Sequence, residues 1–515
     1  MEPIYHLDYE TFSRANIKDV GAFRYAEDPG CEIMLCCIAR GDEEPLLWDF
    51  TDPGFSQLAE ELIEEMATGD GLIYAHNAQF ETAVSRYRFF KTFGLQPPAL
   101  DRWRCTASMA RRASIPFSLG ECGAFLKLPQ QKDDIGKKLI EIFCCPQTRG
   151  KRKGERILPT DDVLVTLDGK KVPAWEAWQL FREYCIGDVK TERHVHKALK
   201  SFEMKGDVLD SFLLDLHMNH EGIPVNIHSI EQAVALSSEA TEIEVARFQE
   251  ITELVPTQRE KVQNWLNERG YDRDNLQEAT ITNRLENTTG MTPEAVEALA
   301  IRSRVSYAAV SKLRTMQEIA CSDGKVRGAL MWAGALRTHR WAGRYMQPQN
   351  FRRPTIKNTH ECYEHIESGM DLEMFSFLWG NPLEAIASCI RHFIHQPEVE
   401  FFDVDFANIE ARITPWLAGQ EDLLQSFRDG GDPYIDMAAF IFSKENKDVT
   451  KDERFVGKQA ILGAGFQIGW EKYQTMCAGY GVHLSDEVCK LAVQGYRDKN
   501  SKIVSMWKLM QQAAV

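Results

Sequence analysis

The sequence has no apolar run near the roughly 18–20 residues a membrane helix needs, and its first residues are too polar for a signal peptide. It has no internal repeat and no low-complexity tract, which excludes solenoid and collagen-like architectures. No CxxC spacing occurs among its thirteen cysteines, and Cys36-Cys37 and Cys144-Cys145 are merely adjacent pairs. A zinc site or disulfide framework is therefore not expected, and a reduced cytoplasmic protein is the plain reading. An excess of positive charge is missing too. The net charge of −16 argues against a nonspecific polyanion binder. It leaves polynucleotide enzymes open, because binding depends on where the cations sit.

What is present is an ordinary globular balance, 44% hydrophobic and 26% charged, over 515 residues, a length that implies more than one core. Two basic stretches stand out. One is Arg149, Lys151, Arg152, Lys153 and Arg156; the other runs from Arg337 through His339, Arg340 and Arg344 to Arg352-Arg353. Each reads either as a solvated loop or as a surface that tracks phosphates.

Apolar runs at Ile4–Tyr9, Glu32–Ala39 and Pro45–Phe50 predict three strands, and Gly71–Tyr74 a fourth. Helical spacing at Phe55–Met66, Phe80–Phe93 and Ala174–Leu199 completes an α/β pattern with a mixed sheet. Beyond residue 205 the pattern is almost wholly helical. Asn226 caps one long helix, Thr257 with Glu260 makes a capping box for a second that Gly270 stops, and Thr292-Pro293 opens a third. Strands return from Val326, and Phe401–Asp405 is a short apolar strand ending in acid.

Acidic residues gather at chosen places in the first 200 residues. Asp8 and Glu10 alternate along a strand and share one face. Glu81 opens the helix that follows the strand Gly71–Tyr74, and strand ends are where α/β sheets collect their sites. Tyr184 and Asp188 stand four apart on one helix face. Carboxylates meeting at one point repel unless divalent cations lie among them, which is the two-metal arrangement for phosphodiester chemistry. Taken singly, Glu81 is also a first-turn acid that complements a helix dipole.

The trio Asp8-x-Glu10, Asn77-x-x-x-Glu81 and Tyr184-x-x-x-Asp188 resembles the three motifs of a DnaQ-type, RNase H-like 3′–5′ proofreading exonuclease. The resemblance implies that Asp8, Glu10, Glu81 and Asp188 surround the metals, that Tyr184 orients the attacking water and that Asn77 meets the substrate. Many such domains have Asp where this chain has Glu81; the longer arm reaches a metal through water.

In the second half, Phe401–Asp405 leads into Asn408, Glu410 and Arg412, and some forty residues on come Arg454, Lys458, Leu462 and Phe466. A four-residue step drifts only about 40° around a helix, so these four form one stripe of two cations followed by two apolar groups. Such a stripe suits a triphosphate and a base. Together the two segments resemble the A and B motifs of family A, DNA polymerase I-like, DNA polymerases of the phage branch. The resemblance implies that Asp405 binds the catalytic metals, that Glu410 is a steric gate against a ribose 2′-hydroxyl, and that Arg454 and Lys458 grip the phosphates. Leu462 and Phe466 would lie beside sugar and base, where the family commonly has Phe or Tyr and Tyr. Gly343-Arg344 with Gln349-Asn350 is similar to the family's primer–template minor-groove reader, and Asp432-Pro433-Tyr434 sits where phage relatives have it.

The implied architecture is α/β plus α: an RNase H-like exonuclease domain at residues 1–204, a helical thumb at 205–325, part of a palm with motif A at 326–430 and fingers with motif B at 431–515. The implied cofactor is Mg²⁺, with Mn²⁺ as the alternative, and the substrates are dNTPs, primer–template DNA and a single-stranded 3′ end. No His-Asp-Glu motif, which supplies the family's second metal-binding Asp, is recognised in the sequence. A second polypeptide carrying the C-terminal palm is accordingly expected, as in a split polymerase. The setting would be the cytoplasm, a bacterial host's if the gene is a phage's. A stand-alone 3′–5′ exonuclease and a non-catalytic primer–template-binding subunit are the alternatives.

Overall fold

Strand β1 (Ile4–Phe12) is buried on both faces, so its alternating side chains feed two cores. Tyr5, Leu7 and Tyr9 enter one of them, with Ile73, Phe89 and Phe90. Phe12, on the face of Asp8 and Glu10, enters the other, with Phe143, Trp178, Phe181 and Tyr184. The computed structural model describes residues 3–55, 60–128, 135–148, 152–306, 308–397 and 399–513, and the chain divides into two compact units, Met1–Val399 and Glu400–Val515.

In the first unit, β1 is the centre of a five-stranded sheet in the order β3-β2-β1-β4-β5, with β2 Glu32–Arg40, β3 Leu46–Asp49, β4 Leu72–Ala75 and β5 Trp103–Cys105. The pairs β1/β2 and β2/β3 are antiparallel, while β1/β4 and β4/β5 are parallel. This is the mixed sheet expected from sequence. Its register places Asp8 opposite Cys37 and Glu10 opposite Leu35, then slips between Glu10 and Thr11. That irregularity falls beside the acidic pair, where a bulge re-aims side chains.

The helix Ala174–Ala198 lies on the acidic face of the sheet. Apolar packing holds it, and one buried polar contact fixes it. Asp49, fully buried at the end of β3, accepts from Trp178 Nε1 and from Arg182 Nε, both at 2.7 Å. Arg182 also reaches Asp52 at 3.1 Å and lies over the Phe55 ring, 3.7 Å from its centroid. The anchor therefore sets the height of the helix two residues before Tyr184.

Past residue 206 the first unit is helical. Asn226 caps Ile227–Thr252 by accepting from Ser229 N, and Thr292 caps Pro293–Val305 by accepting from Ala295 N, as anticipated. Two cores serve this region, one around Leu313, Ile366 and Phe375 and one around Phe248, Leu266 and Leu299. The capping box at Thr257 does not form. The helix there is Arg259–Asn267, and Gln258 stands at its N-cap without a side-chain cap bond. The returning strands are two-residue ladders, Lys325–Val326, Leu330–Met331 and Ala342–Gly343. In the second unit, residues 401–406 are exposed and lie in neither helix nor strand, so the strand expected at Phe401–Asp405 does not form. The rest of that unit is helices around Tyr434, Tyr473 and Tyr496.

Replacing Asp49 with Ala leaves the Arg182 guanidinium buried and only half answered by Asp52. We expect a loss of about 3 kcal/mol, read as a lower urea midpoint at unchanged slope.

Candidate active sites of the two units

The sheet and the helix Ala174–Ala198 bring Asp8, Glu10 and Asp188 together: one carboxylate oxygen from each lies within 4.8 Å of the others. Glu10 and Asp188 are buried and Asp8 is partly so. Glu81 is buried on the helix Gln79–Val84 that follows β4, and its Oε2 has no hydrogen-bond partner. Burial, and then the charge of Asp8, pushes its carboxyl well above the usual range. The three converging carboxylates would suit a hard divalent ion of the magnesium type; Glu81 is not one of the three.

Tyr184 is buried one helical turn before Asp188. Burial, followed by the charges of Asp188, Glu10 and Asp8, drives its hydroxyl far above the ordinary tyrosine value, so it stays protonated. The ring stacks on Phe181 with centroids 6.1 Å apart. Gly136 is the seat for this ring: a Cβ there would fall 1.9 Å from Tyr184 Cε2. Asn77 occupies the turn between β4 and the helix of Glu81 with φ +73°, a conformation Asn tolerates through its short polar side chain.

Sequence reasoning passed over several neighbours. Cys144 Sγ approaches Glu10 Oε2 at 3.6 Å, and Cys185 Sγ approaches Asp8 Oδ2 at 3.9 Å. One strand step and one helical turn behind the acids, His6 Nδ1 meets Glu192 Oε2 at 2.5 Å in the buried interior. Burial raises the Glu192 carboxyl and His6 lowers it, with a net shift below the ordinary value. The signal for this pair was available: Glu192 is i+4 from Asp188 and His6 is i−2 from Asp8, so both lie on the faces that carry the acids.

Of the basic stretch Arg149–Arg156, Arg149 and Lys151 lie outside the described residues. Arg152 and Lys153 are exposed, and Arg156 pairs with Glu32 at 3.2 Å. Gly343 is pressed by the Gln349 amide, which a Cβ would meet at 2.2 Å. Asn350 is exposed and donates to Gln347 at 2.9 Å. Arg344 is turned toward Gln79, to which it donates at 2.5 Å.

In the second unit, one residue joins three of the segments singled out by sequence. The Tyr434 hydroxyl donates to Asn408 Oδ1 at 2.6 Å, and the Tyr434 ring lies beneath Arg454 at 5.4 Å and Lys458 at 6.0 Å. Asp432 caps the helix Pro433–Phe442 through one carboxylate oxygen and accepts from Arg454 Nε at 2.7 Å through the other. Asp405 is exposed three residues before Asn408, and Glu410 is in the first turn of the helix Ile409–Ala418. The expected stripe is continuous for Arg454 and Lys458, in the helix Lys451–Gln459 opened by a full capping box at Thr450. It then passes through a π-helical turn, Ala460–Ala464, which carries Leu462, and Phe466 follows in a turn, 60% exposed. The wider π turn and the glycines after it end the four-residue periodicity before Phe466.

Residues 383–514 match the family described as DNA polymerase family A. Over 99% of its length the chain is 31% identical to the DNA polymerase of Bacillus phage SP02, 76% of which it covers. A stretch of 78 residues, 15% of this chain, is 31% identical to 8% of the DNA polymerase I of Chloroflexus aurantiacus. In fold the chain is similar to the polymerase domain of Pol1 from M. smegmatis, solved with DNA primer–template and dNTP. That likeness has a TM-score of 0.62 at 14% identity over 99% of this chain and 75% of the other. With a relative of this identity matched from end to end of the chain, the protein belongs to DNA polymerase family A.

Proposed function

We propose that this family A DNA polymerase carries a 3′–5′ exonuclease in its first 204 residues and a nucleotide-addition site in its second unit. The observation that carries the first part is the convergence of Asp8, Glu10 and Asp188 within 4.8 Å, with the orphaned oxygen of buried Glu81 on the next element. Magnesium or manganese, held by Asp8, Glu10, Glu81 and Asp188, would supply charge neutralisation for attack on a phosphodiester and for the departing 3′-oxygen. The protonated Tyr184 hydroxyl then orients a water for in-line attack, and the Phe181 ring and Gly136 hold it in place. Asn77, set in its left-handed turn, lies where the terminal nucleotide would be received.

In the second unit, Asp405 is the metal-facing carboxylate and Glu410 stands where a 2′-hydroxyl would intrude. Arg454 and Lys458 take the triphosphate, displacing the half-buried Asp432 from Arg454. Such a pair is weak enough to exchange partners. Leu462 and Phe466 border the sugar and base. The stretch that carries Asp405 is apolar and bare, with Phe402 85% and Val404 90% exposed. Apolar surface exposed in this way marks a place where another surface packs. A second polypeptide with a palm hairpin and a further carboxylate would cover it. The setting is DNA replication in the cytoplasm of a host cell.

Three outcomes are expected. Asp8→Ala and Asp188→Ala each slow shortening of a single-stranded oligonucleotide by at least about 100-fold while the thermal midpoint stays close to that of the parent; full activity in both variants would falsify the exonuclease assignment. Second, the raised Glu81 carboxyl binds its proton more tightly folded than unfolded, so its contribution to stability falls as pH rises through the range between the two values. In chelator, Glu81→Gln is therefore worth more stability at pH 8 than at pH 5, measured as the difference in urea midpoints; a pH-independent difference removes this account. Third, on a primer–template with Mg²⁺ and dNTPs, the chain alone shortens the primer without extending it. Extension would place the second carboxylate within these residues.

A further inference from the structure

The segment 330–344 is fastened to the sheet domain and to the helix Asp207–Glu221 by side chains at both ends. Arg111 Nε donates to the Trp332 carbonyl at 3.2 Å, His339 meets Ser114 at 3.1 Å, and Trp341 Nε1 donates to Asp215 at 2.7 Å. The last of these fasteners is Arg344, whose Nη1 donates to Gln79 Oε1 at 2.5 Å. Gln79 is two residues past Asn77 and two before Glu81, at the first position of the helix that holds Glu81. A small cavity lined by Asn77, Gln79, Arg111, Asp215 and Arg344 lies at this contact.

The same guanidinium is thus wanted in two places. Read as the primer–template contact, Arg344 must offer its donors to duplex DNA. In the free protein it spends one on the turn of the exonuclease site. A guanidinium has five N–H donors in a fixed fork, so redirecting the fork toward DNA pulls it from Gln79. The acceptor left behind is a neutral amide, which makes the exchange cheap: a neutral hydrogen bond is worth about a fivefold change in an equilibrium, far less than an ion pair in the same place.

We propose that Gln79 is a positioning residue which competes with duplex DNA for Arg344 and so sets the division of a 3′ end between addition and removal. The proposal rests on the exonuclease and primer–template readings above. With Arg344 on Gln79, the loop is drawn to the exonuclease turn and the duplex loses a contact. With Arg344 on DNA, the turn loses its outer tie. Neither state requires a domain movement, only a change of partner for one side chain.

The test uses two variants that act in opposite directions. Gln79→Glu gives Arg344 a charged partner; it costs the long 3.5 Å contact of Gln79 Nε2 to the Leu330 carbonyl, which Asn219 still serves at 3.2 Å. Gln79→Leu leaves Arg344 free, and Gln79→Met replaces it if the leucine variant does not fold. The expected result, with a fluorescent primer–template in chelator, is a dissociation constant raised about fivefold by Gln79→Glu and lowered by a similar factor by Gln79→Leu. Hydrolysis of a paired 3′ end, relative to a single-stranded one, should rise in the first variant and fall in the second. Both effects should vanish in an Arg344→Ala background, where a general charge effect at position 79 would persist. Shifts of the same sign, or shifts that survive Arg344→Ala, overturn the proposal. Failure of the parent chain to shorten a single strand at all would instead overturn the exonuclease reading on which it rests.

Discussion

Holding like charges together is the constraint on which the first unit is built. Asp8, Glu10 and Asp188 converge within 4.8 Å, and Glu81 is buried nearby. Without a cation that arrangement opposes folding, because desolvated carboxylates repel one another. The opposing force comes from the layer above. Phe143, Trp178, Phe181 and Val189 press the helix Ala174–Ala198 onto the sheet, and the Asp49–Arg182–Trp178 contact fixes where along its axis it sits. A buried ion pair contributes little net stability compared with apolar packing, but it discriminates sharply between registers. One helical turn of slip would move Asp188 about 5.4 Å, out of reach of the sheet. Burial and the charge of Asp8 push the Glu81 carboxyl up, toward its neutral form.

The second unit gathers two cations around one aromatic ring. Arg454 and Lys458 flank the Tyr434 ring, and Arg454 rests on Asp432. The carboxylate orients the guanidinium, and a pair of this exposure exchanges partners readily. Because the Tyr434 hydroxyl also bonds Asn408, the helix Lys451–Gln459 and the segment that follows Asp405 are tied through one side chain. That tie runs across Asp432-Pro433-Tyr434, which sequence reading had placed by family position alone.

What the sequence disclosed, and what it withheld, follows from how local each feature is. The sheet strands β1 to β4 and the long helices were legible because their apolar periodicity persists over several residues. The strand Trp103–Cys105 was not, being three residues long. The helix Ile17–Glu27 was hidden by Gly21, whose φ of +74° kinks it and which abuts Tyr345, far away in sequence. Thr257 and Glu260 spelled a capping box, yet the helix starts at Arg259, since tertiary context decides among neighbouring caps. The acids Asp8, Glu10 and Asp188 were found because their spacing places them on known faces. Gly136 behind Tyr184, Cys144 beside Glu10 and Gln79 against Arg344 were beyond reach, because each depends on a contact between distant segments.

A net charge of −16 on a DNA-handling protein looks contradictory until the partners of its cations are considered. Arg454 rests on Asp432, Arg156 on Glu32, Lys138 on Asp168 and Arg344 on the Gln79 amide. Three of these are pairs with substantial exposure, worth little in water and readily traded for a phosphate oxygen. At these four places a phosphate would meet a cation that already has a partner, and must replace a carboxylate or an amide to be held. For a DNA polymerase, contacts that are local and exchangeable permit movement along DNA where a strong, continuous grip would oppose it.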